Sequence, residues 1–402
     1  MVQSKIGGTA MLPKERVRFG FLAVSLLLVL APALHAAESD KDVPRYTNDS
    51  SWPKPFPNHW VIGQIGGLAI DRQDRIWVLQ RALPYAVDEK GVKHDLAPAD
   101  RMPAVLVFDT EGNILKSWGG QGFVPHWPKS EHGLWVDDAG NVWIGGNAPG
   151  DRQVLKFTGD GRQLLEIGYP SSAPRNNADT TILGEPAGIE VDSVAREVYI
   201  SDGYLNSRIV VYDSETGNFK RGWGAYGIGL GEVANPPEPT GEAASTLGRY
   251  VREGPDYVPG EPPEKQFRTP VHCVRLSKDS HVYVCDRRND RIQVFTKEGK
   301  FVREFLVHRE TVNNGSVWTL TFSHDPQQKY LLVGDGINQR IWILRRKDGV
   351  EVASFGAGYL FSVHQAALDS NGNYYTGDVG GAAPRPAPSN GKSVQKFTLQ
   401  PP

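Results

Sequence analysis

Three of the ten histidines occupy the same place in a sequence unit that recurs along the chain. They are His132, His272 and His364, and each comes directly before, or at the start of, the first predicted strand of its unit. Neutral imidazole is the commonest metal ligand in proteins. Three such ligands leave a fourth coordination position open, which is the arrangement of catalytic zinc. We therefore expect a catalytic metal site, with zinc favoured by the ligand type and another first-row metal as the alternative.

The unit that carries these histidines recurs six times and alternates short apolar strands with polar turns. In the second copy, for example, a strand over 133–137 ends on Asp137, a turn with Gly140 follows, and a second strand begins near Asn141. A third strand follows in each copy, and often a fourth. Four short strands repeated six times are typical of a six-bladed β-propeller. The sequence therefore predicts an all-β fold built from one kind of blade.

The spacing of the histidines within this repeat predicts where their side chains meet. They fall in the second, fourth and sixth copies, while Gly66, Ala187 and Trp318 hold the equivalent place in the others. Alternate blades of a six-membered ring lie about 120° apart, and the first strand of each blade lines the central channel. We therefore expect the three imidazoles to converge on the axis of the propeller.

Composition and charge exclude one large class of partner. The chain has 44 Lys plus Arg against 46 Asp plus Glu, a net charge of -2, and 39% hydrophobic residues. Nucleic-acid binding needs clustered positive charge, for which this balance gives no basis. We expect a folded protein without a nucleic-acid partner, and a small-molecule or peptide substrate is implied only by the resemblance described below.

The N-terminus has the layout of a secretory signal peptide. Lys14, Arg16 and Arg18 precede an apolar run over 19–33, and small residues follow. This order of basic, apolar and small residues predicts export, so the mature chain would be secreted or periplasmic and free of the membrane. An uncleaved membrane anchor is the alternative. The domain organisation that follows is a signal peptide at 1–37, a lead-in at 38–59 and the propeller at 60–400.

Uneven spacing between the copies indicates loop insertions, and long loops on a rigid scaffold commonly carry function. The insertions lie at about 82–102, 169–185 and 225–268. The two cysteines, Cys273 and Cys285, fall in the two predicted strands of one hairpin. A single disulfide and two buried thiols are both compatible with that placement.

A second pattern, with Asp, Asn and Arg in the same order, follows the second strand in three copies. We interpret it as structural, because Asx turns and an Asp–Arg pair would join two strands at that point. The residues are Asp202, Asn206 and Arg208, then Asp286, Asn289 and Arg291, and last Asp335, Asn338 and Arg340.

Two segments with this pattern, 201–209 and 286–295, make the chain resemble a known family. Together with 63–67 and 132–134, they are similar to the signature of peptidyl-α-hydroxyglycine α-amidating lyase, and the repeat resembles the NHL repeat. The resemblance covers roughly residues 60–399. It implies a six-bladed propeller whose three histidines hold zinc. It also implies that Tyr204 is the base acting on the substrate hydroxyl, and that Arg81 and Arg287 bind the substrate carboxylate or flank the reacting centre.

The reaction that the resemblance implies is cleavage of a carbinolamide C–N bond, which gives an amide and glyoxylate. The chain departs from the family at Gln365, where the family has an Asp that helps to hold structural calcium, so the resemblance leaves a Ca²⁺ site open. Leu205 replaces a family cysteine, and Tyr283 and Val294 replace the two cysteines of a second family disulfide. The resemblance therefore predicts that both family disulfides are absent here. With no monooxygenase domain in the sequence, a separate monooxygenase would have to supply the hydroxyglycine, unless another hydroxylated substrate is used.

Two other functions are compatible with the same fold. The first is a metal-dependent propeller hydrolase acting on a lactone or an ester, although such enzymes generally use carboxylate and Asn ligands rather than three histidines. The second is a non-catalytic NHL module that binds protein or glycan through its loops. Metal content and glyoxylate release separate the three hypotheses.

Overall fold

The structure is a computed structural model that describes residues 42–87, 92–235, 264–379 and 392–401. The predicted signal peptide, the first residues of the lead-in and parts of the first and third insertions lie outside these ranges. None of the helical segments in the described part of the chain has the length and hydrophobicity that crossing a bilayer requires.

Short strands dominate the described chain, and their lengths suit four-stranded blades. In chain order they are β1 (Tyr46–Asp49), β2 (Gln64–Ile70), β3 (Ile76–Arg81), β4 (Tyr85–Val87), β5 (Lys93–Asp95), β6 (Val105–Phe108), β7 (Ile114–Trp118), β8 (Glu131–Val136), β9 (Val142–Gly146), β10 (Gln153–Phe157), β11 (Gln163–Gly168), β12 (Gly188–Asp192), β13 (Glu197–Asp202), β14 (Arg208–Asp213), β15 (Phe219–Trp223), β16 (Val271–Leu276), β17 (His281–Asp286), β18 (Arg291–Thr296), β19 (Phe301–Leu306), β20 (Thr319–Phe322), β21 (Tyr330–Asp335), β22 (Arg340–Arg345), β23 (Glu351–Phe355), β24 (Val363–Leu368), β25 (Tyr374–Asp378) and β26 (Val394–Leu399). Single turns of 3-10 helix occur at Pro57–His59, Pro98–Asp100, Ala225–Gly227, Leu230–Glu232 and Arg287–Asn289.

The strands form six antiparallel four-stranded sheets, which are the blades of a propeller. In strand order, blade 1 is β2-β3-β6-β7, and blades 2 to 5 are β8–β11, β12–β15, β16–β19 and β20–β23. Blade 6 is β24-β25-β26-β1, and the small hairpin β4-β5 lies in the first insertion. The first strand of each blade contacts that of the next, and β24 contacts β2, so the ring is closed. The predicted all-β, six-bladed propeller is confirmed.

Apolar side chains hold neighbouring blades together, because a single sheet could not bury both of its faces. The described residues contain six hydrophobic clusters, and each combines side chains from two adjacent blades. Between blades 1 and 2, for example, Trp77 packs with Leu134 and Phe157 in one cluster. The sequence-predicted repeat thus corresponds to a repeated packing interface.

The N-terminal segment of the described chain completes the last blade of the ring. Within the predicted lead-in, β1 pairs antiparallel with β26, from Tyr46 opposite Leu399 to Asp49 opposite Lys396. The ring of Tyr46 stacks on Phe355, with the ring centres 4.5 Å apart. The lead-in therefore contributes the outer strand of blade 6, a strand that the sequence pattern did not predict because it is short and far from its partner.

The Asp–Asn–Arg pattern has the predicted structural role in two blades. Arg208 donates from Nε to Asp202 at 2.8 Å in blade 3, and Arg291 donates in the same way to Asp286 at 2.7 Å in blade 4. In blade 5 the prediction of an Asp–Arg pair is wrong. There Asp335 accepts hydrogen bonds from Asn338 and from the indole of Trp342, which fills the place expected for arginine.

The cysteine question left open by the sequence is answered by a disulfide. Cys273 and Cys285 are direct partners across β16 and β17, with their Cα atoms 4.8 Å apart. The bridge ties the strand that carries His272 to the strand that ends just before Arg287.

Removing the ring of Tyr46 should weaken closure of the propeller. We expect Tyr46→Ala to lower the free energy of unfolding by about 2 kcal/mol, because a half-buried aromatic ring loses its contacts. The exposed neighbour Thr47 is the matched control, and Thr47→Ala should change stability by less than about 0.5 kcal/mol. Urea unfolding of both variants checks this, and equal stabilities would contradict closure by β1.

Asp378 ends β25, has no arginine partner among the residues that the structure describes, and gives the fold a pH-dependent element. Its carboxylate accepts a hydrogen bond from the backbone N–H of Phe361, and burial raises its pKa to about 7. Because the folded-state pKa lies above the unfolded value, the folded state favours the neutral acid. This group's contribution to stability is therefore present below about pH 4 and is lost as the pH rises to about 7.

Replacing this carboxyl by an amide should remove that pH dependence. The difference in unfolding free energy between Asp378→Asn and the unaltered protein should move in favour of the variant as the pH rises from about 4 to 7, and stay constant above that. Denaturant unfolding across this range measures the difference. A difference that does not change with pH would show that Asp378 ionises normally.

Candidate metal centre

The three predicted ligands meet on the axis of the propeller. His132, His272 and His364 are each the second residue of the first strand of their blade, and at most 2% of each residue is exposed. Nε2 of His364 lies 2.9 Å from Nε2 of His132 and 3.1 Å from Nε2 of His272. The convergence expected from the repeat is present in the structure.

Each imidazole is oriented by a backbone carbonyl of the next blade in the ring. Nδ1 of His132 donates to the carbonyl of Ala187 at 2.9 Å, and Nδ1 of His364 donates to that of Ile65 at 2.7 Å. Nδ1 of His272 donates to the carbonyl of Trp318. Since a carbonyl can only accept, the proton of each neutral ring is on Nδ1, and Nε2 presents a lone pair.

Three converging lone pairs form a donor set that could bind a metal ion. Nitrogen ligands about 2.0–2.1 Å from a tetrahedral zinc lie about 3.3 Å from one another. The two separations from His364 are a few tenths of an ångström shorter, and the ligand atoms of the three rings all lie within 4.8 Å of one another. Without a positive charge between them, the lone pairs repel one another. The chemistry of the site thus fits a small cation coordinated by imidazole nitrogens.

The electrostatic environment keeps these histidines neutral. Burial lowers the pKa of His132 well below its usual value, and His364 and Arg81 lower it further. Burial and then Arg287 have the same effect on the pKa of His272. The pKa of His364 falls to about 3, mainly through burial and then through Arg81. A neutral ring is the form that binds a metal.

Tyr204 places its hydroxyl beside two of the three nitrogens. The oxygen lies 2.8 Å from Nε2 of His132 and 3.1 Å from Nε2 of His272. The residue follows β13, where the chain runs so close to β16 that a Cβ on Gly203 would lie 2.1 Å from the carbonyl oxygen of Val271. Glycine at 203 is therefore needed for Tyr204 to reach the axis.

Burial and positive charge act on the Tyr204 hydroxyl in opposite directions. Burial raises the pKa of Tyr204, while the charges of Arg287 and Arg81 oppose the rise.

The two predicted arginines flank the site from opposite blades. Arg81 ends β3 and donates from Nε to the carbonyl of Glu131 and from Nη1 to the side chain of Gln64, at 3.2 and 3.0 Å. Arg287 follows β17, donates from Nε to the carbonyl of Asn314 at 2.9 Å, and lies 4.0 Å from the ring centre of Trp318. Both guanidinium groups thus bridge neighbouring blades.

Sequence reasoning missed two residues that border this site. Trp318 was identified only as the occupant of a histidine position, yet it accepts the hydrogen bond of His272 and stacks under Arg287. Asn147 accepts a hydrogen bond from Nη2 of Arg81 at 3.0 Å. Aligning the ends of the second strands would have found Asn147, because it occupies the repeat position of Arg81 and Arg287.

Similarity to known proteins agrees with the sequence motifs. No known family model matches the chain. It is 28% identical over 272 residues to peptidyl-glycine alpha-amidating monooxygenase B of Xenopus laevis, covering 65% of this chain and 26% of that protein. It is 29% identical over 175 residues to peptidyl-alpha-hydroxyglycine alpha-amidating lyase 2 of Drosophila melanogaster, covering 41% of this chain and 39% of the relative. The resemblance to amidating lyases predicted from the motifs is confirmed.

The extent of these matches is limited. The chain spans about a quarter of the length of the Xenopus relative. Among solved structures, virginiamycin B lyase from Staphylococcus aureus matches with a TM-score of 0.46 and 15% identity, over 89% of each chain. Similarity of that degree says nothing about the chemistry of this chain.

The purified protein should carry about one metal ion per chain, held by the three histidines. Replacing any one of His132, His272 and His364 by Ala should reduce the bound metal to less than about a tenth, because two imidazoles form a much weaker site. Elemental analysis after dialysis measures this, and circular dichroism checks the fold.

The matched control is His281→Ala, at the start of β17, whose imidazole is partly exposed beside Asp279. Its metal content should equal that of the unaltered protein. Equal metal in all four variants would mean that the ion, if present, is bound elsewhere.

Proposed function

We propose that this chain is a zinc-dependent lyase of the peptidyl-α-hydroxyglycine α-amidating type. It would cleave the C–N bond of a carbinolamide, R–CO–NH–CH(OH)–COO⁻, to give the amide R–CO–NH₂ and glyoxylate. The similarity to proteins named as amidating lyases supports the reaction class, and the geometry of the axial site supports the assignment of roles.

One observation carries the proposal most directly. A tyrosine hydroxyl lies within 3.1 Å of two of the three converging imidazole nitrogens, and the charges of Arg81 and Arg287, from opposite blades, act on it. A proton-transfer group, a candidate metal site and carboxylate-binding groups thus occupy one buried centre. The substrate has a hydroxyl to deprotonate, which the tyrosine and the metal would assist, and a carboxylate to hold, which the arginines would bind.

The donor set favours zinc as the metal. His132, His272 and His364 would hold it through Nε2, leaving a position open to the substrate. When bound, zinc supplies Lewis acidity, which makes an oxygen in its coordination sphere easier to deprotonate. Three neutral nitrogens suit zinc better than calcium, which prefers oxygen ligands.

Tyr204 would move the proton that the reaction transfers. Its oxygen, beside the imidazole nitrogens, is within reach of a substrate hydroxyl bound at the axis. As the hydroxyl loses its proton, the C=O bond of glyoxylate forms and the C–N bond breaks, with its electron pair remaining on nitrogen. The amide nitrogen then takes up a proton, so the reaction consumes no water.

The arginines would hold the substrate carboxylate. Guanidinium pairs well with carboxylate because two parallel N–H groups can bind the two oxygens. Arg287 is 2% exposed and fixed by the ring of Trp318, while Arg81 is only partly buried and is held from three sides. A carboxylate between them would lie above the metal site with its carbinol directed to the axis.

The proposal extends to location and supply. The basic and apolar N-terminal sequence supports action after export, in the periplasm or outside the cell. A hydroxyglycine amide is the product of oxidising a glycine-extended amide. We therefore propose that a separate monooxygenase supplies the substrate.

Turnover of a peptide ending in α-hydroxyglycine tests this function. The metal-loaded protein should release glyoxylate and peptide amide in equal amounts, and chelation should abolish the reaction. Tyr204→Phe should lower kcat by about 10²–10⁴-fold, since it removes the group that moves the proton, yet retain the metal. Mass spectrometry of the peptide and a colorimetric assay of glyoxylate measure both products.

The matched control is Tyr226→Phe, because that tyrosine bonds Glu304 away from the axis. It should leave turnover unchanged. Release of acid from an ester or lactone, with no glyoxylate from the carbinolamide, would favour the hydrolase. Full activity of Tyr204→Phe would remove Tyr204 from the mechanism.

A further inference from the structure

Asn147 belongs to the same structural position as the two arginines. It comes directly after β9, just as Arg287 comes directly after β17, while Arg81 is the last residue of β3. The residue is 4% exposed. In blades 1, 2 and 4 this position therefore directs a polar side chain toward the axial site.

The hydrogen bonds of Asn147 fix the orientation of its amide. Oδ1 accepts from Nη2 of Arg81 at 3.0 Å and from the hydroxyl of Ser130 at 2.8 Å. Since guanidinium can only donate, the group that faces Arg81 must be the amide oxygen. Tyr204 is hydrogen-bonded to the Asn147 side chain, a contact that opposes the rise in the pKa of Tyr204. Because Oδ1 is occupied by Arg81 and Ser130, Nδ2 is the atom left to donate in that contact.

We infer that Asn147 is a positioning residue for the reaction. This inference rests on the proposed function. Through Oδ1 it sets the guanidinium of Arg81 for the substrate carboxylate. Through Nδ2 it fixes the Tyr204 hydroxyl in the direction needed for proton transfer. One side chain thus couples the placement of the carboxylate to the placement of the proton-transfer group.

The other contacts of Arg81 explain why this hold matters. Its guanidinium also donates to the side chain of Gln64 and to the carbonyl of Glu131. Unlike Asn147, neither of these two acceptors links Arg81 to Tyr204. Loss of Oδ1 removes the acceptor that joins Arg81 to blade 2 through a side chain. A hydrogen bond to a charged group accounts for roughly a tenfold effect or more.

Two substitutions change the contacts of Asn147 with Arg81 and Tyr204 in different ways. Asn147→Ala removes both, and should raise KM about tenfold and lower kcat about tenfold. Asn147→Asp keeps an acceptor for Arg81 but has no donor for Tyr204. Its carboxylate also pairs with Arg81 and repels the substrate carboxylate, so it should lower kcat about tenfold and raise KM by more than Asn147→Ala does. Metal content is measured in each variant.

The matched control is Asn338→Ala in blade 5, where the amide bonds Asp335 and Thr311 away from the axis. It should lower stability but leave KM and kcat unchanged. A role for Asn147 in folding alone would give the same result for its two variants, with no difference between their KM values.

A binding measurement keeps this inference separate from the proposed reaction. Glycolate carries the hydroxyl and carboxylate of the substrate without the scissile bond, and calorimetry gives its Kd for the metal-loaded protein. Asn147→Ala should weaken binding about tenfold, and Asn147→Asp should weaken it further, because its carboxylate competes with glycolate for Arg81. That result without any turnover of carbinolamide would reject the proposed reaction and keep the positioning of Arg81. Unchanged KM, kcat and Kd in both variants would overturn the inference.

Discussion

The site depends on three hydrogen bonds that cross from one blade to the next. Each links Nδ1 of an axial histidine to a backbone carbonyl at the start of the following blade. These bonds fix both the direction of the ring and the nitrogen that carries the proton. Closure of the propeller is thus a condition for the chemistry, because the acceptor for His364 lies in blade 1 and its own strand in blade 6.

In this arrangement, alternate blades contribute different groups to the site. The even blades provide the imidazoles, and the odd blades provide the carbonyls of Ile65, Ala187 and Trp318. Histidine at all six positions would be unsuitable, since six rings would crowd the axis. Above this layer, the ends of the second strands supply the groups that would meet the substrate.

Much of this could be predicted from the sequence because the repeat converts linear position into spatial position. The six blades and the meeting point of the histidines follow from equivalent places in equivalent units. The strand β1 could not be predicted in this way, since its pairing with β26 depends on closure of the whole ring. Trp342 in place of an arginine partner, and the contacts of Asn147, depend on side-chain packing that a strand pattern does not contain.

X-ray absorption at the edge of the bound metal, measured on the purified protein, tests the central claim most directly. The spectrum should fit three imidazole nitrogens at about 2.0–2.1 Å, with the outer-shell scattering of intact rings and one exchangeable oxygen ligand. A shell made of oxygen alone, or one with a single imidazole, would contradict a metal bound by His132, His272 and His364.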